Sequence, residues 1–139
     1  MSARAARPTL VDTSAWVELL RATGSPVDDA LTGALRTGQS LWLTGVVLQE
    51  VLQGARSPAQ AADLRQMLAP CTFVEPVFPE TYEHAALLYT RCRRVGRSVR
   101  GTVDCLVAAV ALEHRLAVLG ADRDLLTLRD VCGLVLALP

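Results

Sequence analysis

The chain has 139 residues, of which 51% are hydrophobic and 20% are charged, and its formal net charge at pH 7 is zero. This composition excludes a disordered tail and predicts a single folded domain over residues 1–139, long enough to bury one core. The zero net charge argues against a protein that coats nucleic acid through bulk attraction.

Membrane proteins and zinc proteins are also disfavoured. No uncharged run reaches the roughly 20 residues needed to cross a bilayer, and residues 1–9 hold no apolar signal core. We therefore expect a cytoplasmic protein that makes no membrane contact. The cysteines lack Cys-x-x-Cys spacing and have no histidines placed to complete a metal site, so we expect free, mostly buried thiols.

Short apolar runs alternate with helical segments in the first half of the chain. A buried strand is predicted from Thr9 to its last residue, Asp12, and Ser14 is placed to cap the amphipathic helix that follows. Thr44 is placed to cap a later helix in the same way. The remaining elements predicted here are a helix over 27–36, a strand at Leu41–Leu43, and helices over 46–55 and 57–68.

The alternation continues in the second half. The predicted elements are a strand over 72–74, a helix over 80–95, a helix over 103–114 with Thr102 as a good cap, a strand over 116–119, a helix over 125–131 and a last strand over 134–138. This order is typical of a parallel sheet covered by helices on both faces. We therefore predict an α/β fold, a three-layer sandwich around a central parallel sheet of about four to five strands.

Four acidic residues lie at or soon after strand ends in this predicted fold. Asp12 and Asp122 end or follow strands, Asp104 opens the helix before the strand that leads to Asp122, and Glu50 lies in the second turn of a helix that follows a strand. Each of the four has a local explanation: turn and cap chemistry at Asp12, for example, the helix dipole at Asp104, or the solvent-facing edge of a helix at Glu50. Because the carboxyl ends of parallel strands open into one crevice, all four side chains can meet there.

Carboxylates gathered in one crevice repel one another and hold protons unless a cation screens them. Mg²⁺, with Mn²⁺ as the other choice, is the fitting ion, since hard divalent cations take oxygen ligands and the sequence has no Cys/His cluster for zinc. Such a site can polarise a phosphodiester, deprotonate a bound water and stabilise the leaving oxygen. The acids therefore predict a metal-dependent hydrolase of phosphodiesters.

Arginines are concentrated just before the third acid. Most charge runs are solvated faces, but this one lies at the end of a helix and in the loop that runs directly toward Asp104. An acidic site alone would repel RNA or DNA, and arginines can hold the phosphate backbone against it. We expect these contacts from Arg93, Arg94, Arg97 and Arg100.

Four short motifs, in this order, resemble those of PIN-domain ribonucleases. They are VDTSAW at 11–16, LQEVLQG at 48–54, RGTVDCLVAA at 100–109 and DRD at 122–124. In spacing and length the chain is most similar to the VapC toxins of bacterial toxin-antitoxin pairs, and the similarity covers nearly the whole chain. The resemblance implies a PIN-like parallel α/β sandwich, a Mg²⁺-dependent endoribonuclease, a homodimer, and inhibition by a small VapB-type antitoxin.

The resemblance also implies roles for individual residues. The metal site would be formed by Asp12, Glu50, Asp104 and Asp122. Thr13 or Ser14 would assist at the first acid, and Asp124 would assist at the last motif.

The chain departs from the family pattern around its last acid. Leu125 stands where an aromatic residue commonly follows, and Gly120-Ala121 replace a more polar pair before Asp122. Both departures affect the packing around Asp122.

Other classes of protein also place acids at strand ends. A receiver-type phosphoacceptor domain relies on a lysine, and the chain has none. A phosphatase of the haloacid dehalogenase type needs an acid where Ser14 stands. The alternative that remains is a non-catalytic module that keeps the fold and binds RNA or protein, and Mg²⁺-dependent RNA cleavage distinguishes it from the nuclease.

Overall fold

A computed structural model describes residues 7–138, which form a parallel four-stranded sheet and seven helices. The strands lie in the order β3-β2-β1-β4, and every pairing is parallel. Their bounds are β1 Thr9–Val11, β2 Leu41–Leu43, β3 Thr72–Phe73 and β4 Ala117–Leu119. The predicted fold class, a three-layer sandwich around a parallel sheet, is confirmed.

The helices pack in two groups. Helices α1 to α4, which lie between β1 and β3 in sequence, form one group of contacting helices. Helices α5, α6 and α7, in the second half of the chain, form the other. Trp16 and the β1 residues Leu10 and Val11 are fully buried in the core. The helices are α1 Thr13–Leu20, α2 Pro26–Thr37, α3 Gly45–Gln53, α4 Pro58–Leu68, α5 Glu80–Arg94, α6 Thr102–His114 and α7 Arg123–Cys132. No helix within residues 7–138 combines the length and apolarity that a membrane crossing requires.

The strand order places a crevice between β1 and β4. The chain leaves β1 toward β2 on one side, while β4 pairs with β1 on the other side, so connections diverge from this pair of strands. Val11 pairs with Leu119 at the carboxyl end, and the Asp12 amide donates to the Leu119 carbonyl at 2.9 Å. Open parallel sheets bind ligands at such a divergence, so the fold itself marks this edge.

The predicted last strand over 134–138 is wrong. The segment runs beside β4 and makes a single parallel bridge between Val118 and Leu136, which two backbone bonds at 2.9 and 2.8 Å support. One bridge does not make a ladder, which needs successive residue pairs. Leu134 is buried in the core and Leu136 and Leu138 pack against it, so the segment needs apolar residues although its backbone forms no ladder.

Two predicted helix caps and one predicted strand end also need correction, and a third cap is right in position but makes no capping bond. Asp12 lies one residue beyond β1 and is itself the N-cap of α1, so Ser14 belongs to the helix and does not cap it. Thr102 is the first residue of α6, and the N-cap is Gly101, which has no side chain for capping. Thr44 is the N-cap of α3, as predicted, but its hydroxyl makes no capping bond.

The cysteines are as predicted. All four are free, and Cys71, Cys92 and Cys105 are buried while Cys132 is partly exposed.

Candidate active site

Asp12 is the most buried of the four predicted acids, with 3% of its surface exposed. Its Oδ2 atom accepts two hydrogen bonds from Ser14, one from the backbone amide at 3.1 Å and one from the hydroxyl at 2.5 Å. Burial raises the pKa of Asp12, the Ser14 bonds oppose the rise, and the charges of Asp122 and Glu50 add to it. The Ser14 bonds therefore orient the Asp12 carboxylate, but they do not offset the burial and the neighbouring charges that raise its pKa.

Asp104 lies in the first turn of α6 with 8% of its surface exposed. Burial is the largest cause that raises its pKa to about 8, and the charges of Asp12, Asp122, Asp124 and Glu50 raise it further. The same four acids therefore surround this side chain. The ionised form of Asp104 is therefore costly in this site unless a cation lies beside it.

Asp122 and Asp124 flank the start of α7. Asp122 is the N-cap, and its Oδ1 atom accepts from the Asp124 amide at 2.9 Å. Asp124 Oδ2 accepts from the Arg100 amide at 2.9 Å, which ties α7 to the loop before α6. One carboxylate oxygen from each of Asp104, Asp122 and Asp124 lies within 4.8 Å of the other two. A group of three hard oxygen donors at this spacing fits Mg²⁺ or Mn²⁺ and does not fit a soft metal.

Glu50 reaches the site from α3. It is half-buried in α3, and its Oε1 atom accepts from the Thr13 hydroxyl at 2.8 Å. Thr13 therefore holds Glu50 while Ser14 holds Asp12. Local capping explains the bond between Ser14 and Asp12 but not the bond between Thr13 and Glu50, which joins residues that are 37 positions apart.

One open cavity of 640 Å³ collects the predicted acids. Its lining includes Asp12, Glu50, Asp104 and Asp122, together with Thr13 and Ser14. Asp124, predicted only to assist, belongs instead to the closest group of oxygens with Asp104 and Asp122. The structure thus brings all the predicted acids to the crevice between β1 and β4.

Gly120 is a site residue that the sequence analysis noted only as a departure from the family pattern. A Cβ atom there would lie 2.4 Å from Leu125 Cδ1, 3.0 Å from Ser14 Oγ and 3.1 Å from Asp12 Cβ. Leu125 is 1% exposed and fills the space beside this glycine, so it has no room to retreat. The absence of a side chain at Gly120 lets β4 approach the first acid, and the next amide, that of Ala121, donates to Ser14 Oγ at 2.9 Å.

The predicted arginines divide into two pairs. Arg97 and Arg100 line a second cavity of 660 Å³ that shares Asp104 and Asp122 with the first, whereas Arg93 and Arg94 line neither. The guanidinium carbon of Arg93 lies 5.7 Å from the centre of the Tyr89 ring, a cation–π distance.

A family model for the PIN domain matches residues 9–132 of this chain. The chain belongs to the PIN-domain family. Among characterised PIN-domain proteins, it is similar to ribonuclease VapC11 of Mycobacterium tuberculosis and to a VapC ribonuclease of Mycobacterium bovis. Each is 31% identical over 116 residues, which cover 83% of this chain and 87% of the relative. The predicted resemblance to VapC-type PIN-domain ribonucleases is confirmed.

Solved structures share the fold of this PIN domain. VapBC2 from Rickettsia felis, bound to a DNA fragment from its promoter, has a TM-score of 0.71 at 14% identity over 92% of this chain and 96% of that one. VapC20 from Mycobacterium tuberculosis, described as a sarcin-ricin loop cleaving toxin, has a TM-score of 0.62 at 20% identity over 84% and 91%. At these identities the likeness establishes the fold alone.

Proposed function

We propose that this PIN domain is a metal-dependent endoribonuclease that acts as the toxin of a toxin-antitoxin pair. The observation that carries the proposal is the convergence of four acids on one cavity at the divergence point of the sheet. Burial and mutual repulsion hold the pKa of Asp104 at about 8, which is costly in a purely structural cluster and is relieved by a divalent cation.

The relatives support the choice of substrate and partner. The VapC relatives are named ribonucleases, and VapC20 is described as cleaving the sarcin-ricin loop. Several structural neighbours are VapBC complexes, so the proposal includes a VapB-type antitoxin. We extend the ribonuclease activity and the antitoxin to this chain from the names of the relatives, and we propose a homodimer and action in the cytoplasm from the family resemblance of the sequence.

The proposed ligands of Mg²⁺, or of Mn²⁺, are Asp12, Glu50, Asp104 and Asp122, with Asp124 completing the site. When bound, the ion lowers the pKa of a water molecule and stabilises negative charge on the phosphodiester oxygens. The protein's own part is orientation: Ser14 holds the Asp12 carboxylate, and Thr13 holds that of Glu50. Such supporting bonds keep ligand oxygens in place before the ion arrives.

The test is cleavage of single-stranded RNA by the purified protein with Mg²⁺ or with a chelator. We expect cleavage with Mg²⁺ only, and loss of cleavage in Asp12→Asn with the fold retained. Asp63→Asn is the matched control, because Asp63 is an exposed acid on α4 away from the cavity lining. Metal-independent RNA binding without any cleavage would favour the non-catalytic module instead.

The toxin role has a separate test. Expression of the chain in bacteria should arrest growth, and Asp12→Asn should not. Co-expression of the short open reading frame beside the gene should restore growth through a stable complex. A protein that cleaves RNA but neither arrests growth nor binds that partner would be a nuclease without the toxin role.

A further inference from the structure

The crevice has two lobes that meet at Asp104 and Asp122. The acidic lobe is the cavity lined by Asp12, Glu50 and Glu18. The arginine lobe is the cavity lined by Arg97, Ser98, Arg100, Arg123, Asp124 and Thr127. Their volumes are close, 640 and 660 Å³, so the two lobes differ in charge and not in size.

The wall of the arginine lobe is held in place at three points. Val99, in the middle of the loop that carries Arg97 and Arg100, is only 2% exposed. The Arg100 amide is bonded to Asp124, and Arg97 donates to Asp130 Oδ2 at 3.0 Å. The loop between α5 and α6 is thus fastened to α7, and its arginines are presented from a preorganised surface.

The arginines of this lobe are not equivalent. Arg97 is already paired with Asp130 and reaches Thr127 Oγ1 at 3.4 Å, so it acts as a strut between the loop and α7. Arg100 and Arg123 are exposed, and within residues 7–138 neither guanidinium lies within ion-pair distance of a carboxylate. These two cations remain available for an anion.

We propose that the arginine lobe is a phosphate subsite that holds the RNA backbone on one side of the scissile bond only, with Arg100 and Arg123 as the phosphate ligands. The inference rests on the proposed function, because it takes the acids as the place of cleavage. Arginine forks bind phosphate oxygens in a bidentate manner, and backbone contacts of this kind set the register of a strand. Arg123 was part of the last motif in the sequence but had no assigned role.

The acidic lobe explains why the grip is one-sided. Of the residues that line it, only Arg100 is a cation, and this arginine is shared with the other lobe. A neighbouring phosphate that entered the acidic lobe, beyond the proposed metal site, would face Glu18 without an arginine that belongs to this lobe alone. The strand therefore leaves the cleavage point with one neighbouring phosphate bound and the other exposed to solvent.

The experiment uses a short RNA with one mapped cleavage position. A single uncharged methylphosphonate linkage, beside a 2′-deoxy sugar, replaces the linkage immediately 5′ or immediately 3′ of the scissile bond, and the 2′-deoxy sugar alone is the substrate control. Cleavage is measured with Mg²⁺, and binding is measured by anisotropy with a chelator. We expect kcat/KM to fall about tenfold or more for the modification on one side and less than about threefold on the other.

The arginine variants identify the ligands. Arg123→Ala should lose about tenfold on unmodified RNA and then show no further loss with the sensitive modification, and Arg123→Lys should recover part of the loss. The salt slope of binding should fall by about one phosphate contact. Arg36→Ala is the matched control, since Arg36 is an exposed arginine in the last turn of α2 and lines neither lobe.

Two results would overturn the subsite. Equal losses for the two modifications would show that the grip is not one-sided, and an Arg123→Ala variant with undiminished sensitivity would remove Arg123 from the phosphate contact. Absence of cleavage by the wild-type protein would instead contradict the proposed nuclease. The anisotropy measurement without metal still decides whether a neutral linkage on one side weakens binding.

Discussion

The ends of β1 and β2 are built alike, yet only one of them opens into the candidate site. Each strand is followed by a single extended residue that caps the next helix: Asp12 at φ −76° and ψ 156°, and Thr44 at φ −92° and ψ 157°. At β1 the capping carboxylate faces other acids across a cavity. At β2 the first amide of the helix is capped by a residue from the loop after β3: Glu75 Oε1 accepts from the Gly45 amide at 2.9 Å.

The difference lies in what surrounds each acid. Glu75 accepts a hydrogen bond from an amide at a helix start, where the helix dipole favours a negative charge. It is not among the residues that line the crevice. Asp12 is matched by Ser14 but also sits among acids that raise its pKa. An acid at the carboxyl edge of a sheet is therefore a cap by default, and it becomes a candidate metal ligand only where other elements bring further acids to it.

The largest expected effect compares Asp104, an acid of the crevice, with Glu75 at the end of the other strand. Asp104→Asn should lower RNA cleavage by more than about 100-fold, because a ligand to the catalytic ion is lost. The same variant should stabilise the metal-free protein at pH 8 by on the order of 1 to 3 kcal/mol, since it removes a buried, repelled charge. Glu75→Gln, the control at the other strand end, should keep cleavage within about twofold. Chemical denaturation and an RNA cleavage assay measure both properties, and equal cleavage in the two variants would contradict the comparison.

The second prediction tests the close approach of β4 to β1. Gly120→Ala should destabilise the fold by about 1 to 3 kcal/mol and reduce cleavage, because the added Cβ meets Leu125 and Asp12 at 2.4 and 3.1 Å. Gly33→Ala is the control: nothing lies within 4 Å of a Cβ there, and alanine is favoured inside α2. It should stabilise the protein by about 0.5 to 1 kcal/mol. Thermal melts of both variants should move in opposite directions.

The third prediction concerns the pH dependence of stability. Because the pKa of Asp104 rises from 3.8 to about 8 on folding, its contribution to stability is complete below pH 3.8 and is lost as the pH rises toward 8. The metal-free protein should therefore lose stability across this window through Asp104. Mg²⁺ should reverse most of the loss by binding the ionised site. Melting temperatures at pH 5 and pH 8, with chelator and with Mg²⁺, measure the effect, and the Asp104→Asn variant should show a flatter profile.

The smallest expected effect compares the hydroxyls near the two strand ends. Ser14→Ala removes the bonds to Asp12 and to the Ala121 amide, and it should lower cleavage about tenfold. Thr44→Val removes a fully buried hydroxyl that has no hydrogen-bond partner among the described residues, so it should stabilise the protein by about 1 kcal/mol and leave cleavage unchanged. A loss of cleavage in Thr44→Val would show that the β2 end contributes to the site.

The sheet and its helices could be predicted from short-range patterns, and the meeting of the acids from the topology that those elements imply. The prediction was wrong where two outcomes share one pattern. The apolar residues 134–138 read as a strand whether or not their backbone pairs, and Ser14 and Thr102 suit a cap but lie inside their helices. The individual metal ligands stay predictions.

Sequence by itself determined the class of the protein and the addresses of its acids, because hydrophobic periodicity and residue type are properties of each segment alone. The tertiary structure decided the partnerships: Thr13 with Glu50, Ser14 with the Ala121 amide, Gly120 against Leu125, and the Arg100 amide with Asp124. Gly120 and Leu125 lie across a single turn, but the other three contacts join residues that are 24 to 107 positions apart. Distances across such gaps depend on how whole elements pack, which no local pattern encodes.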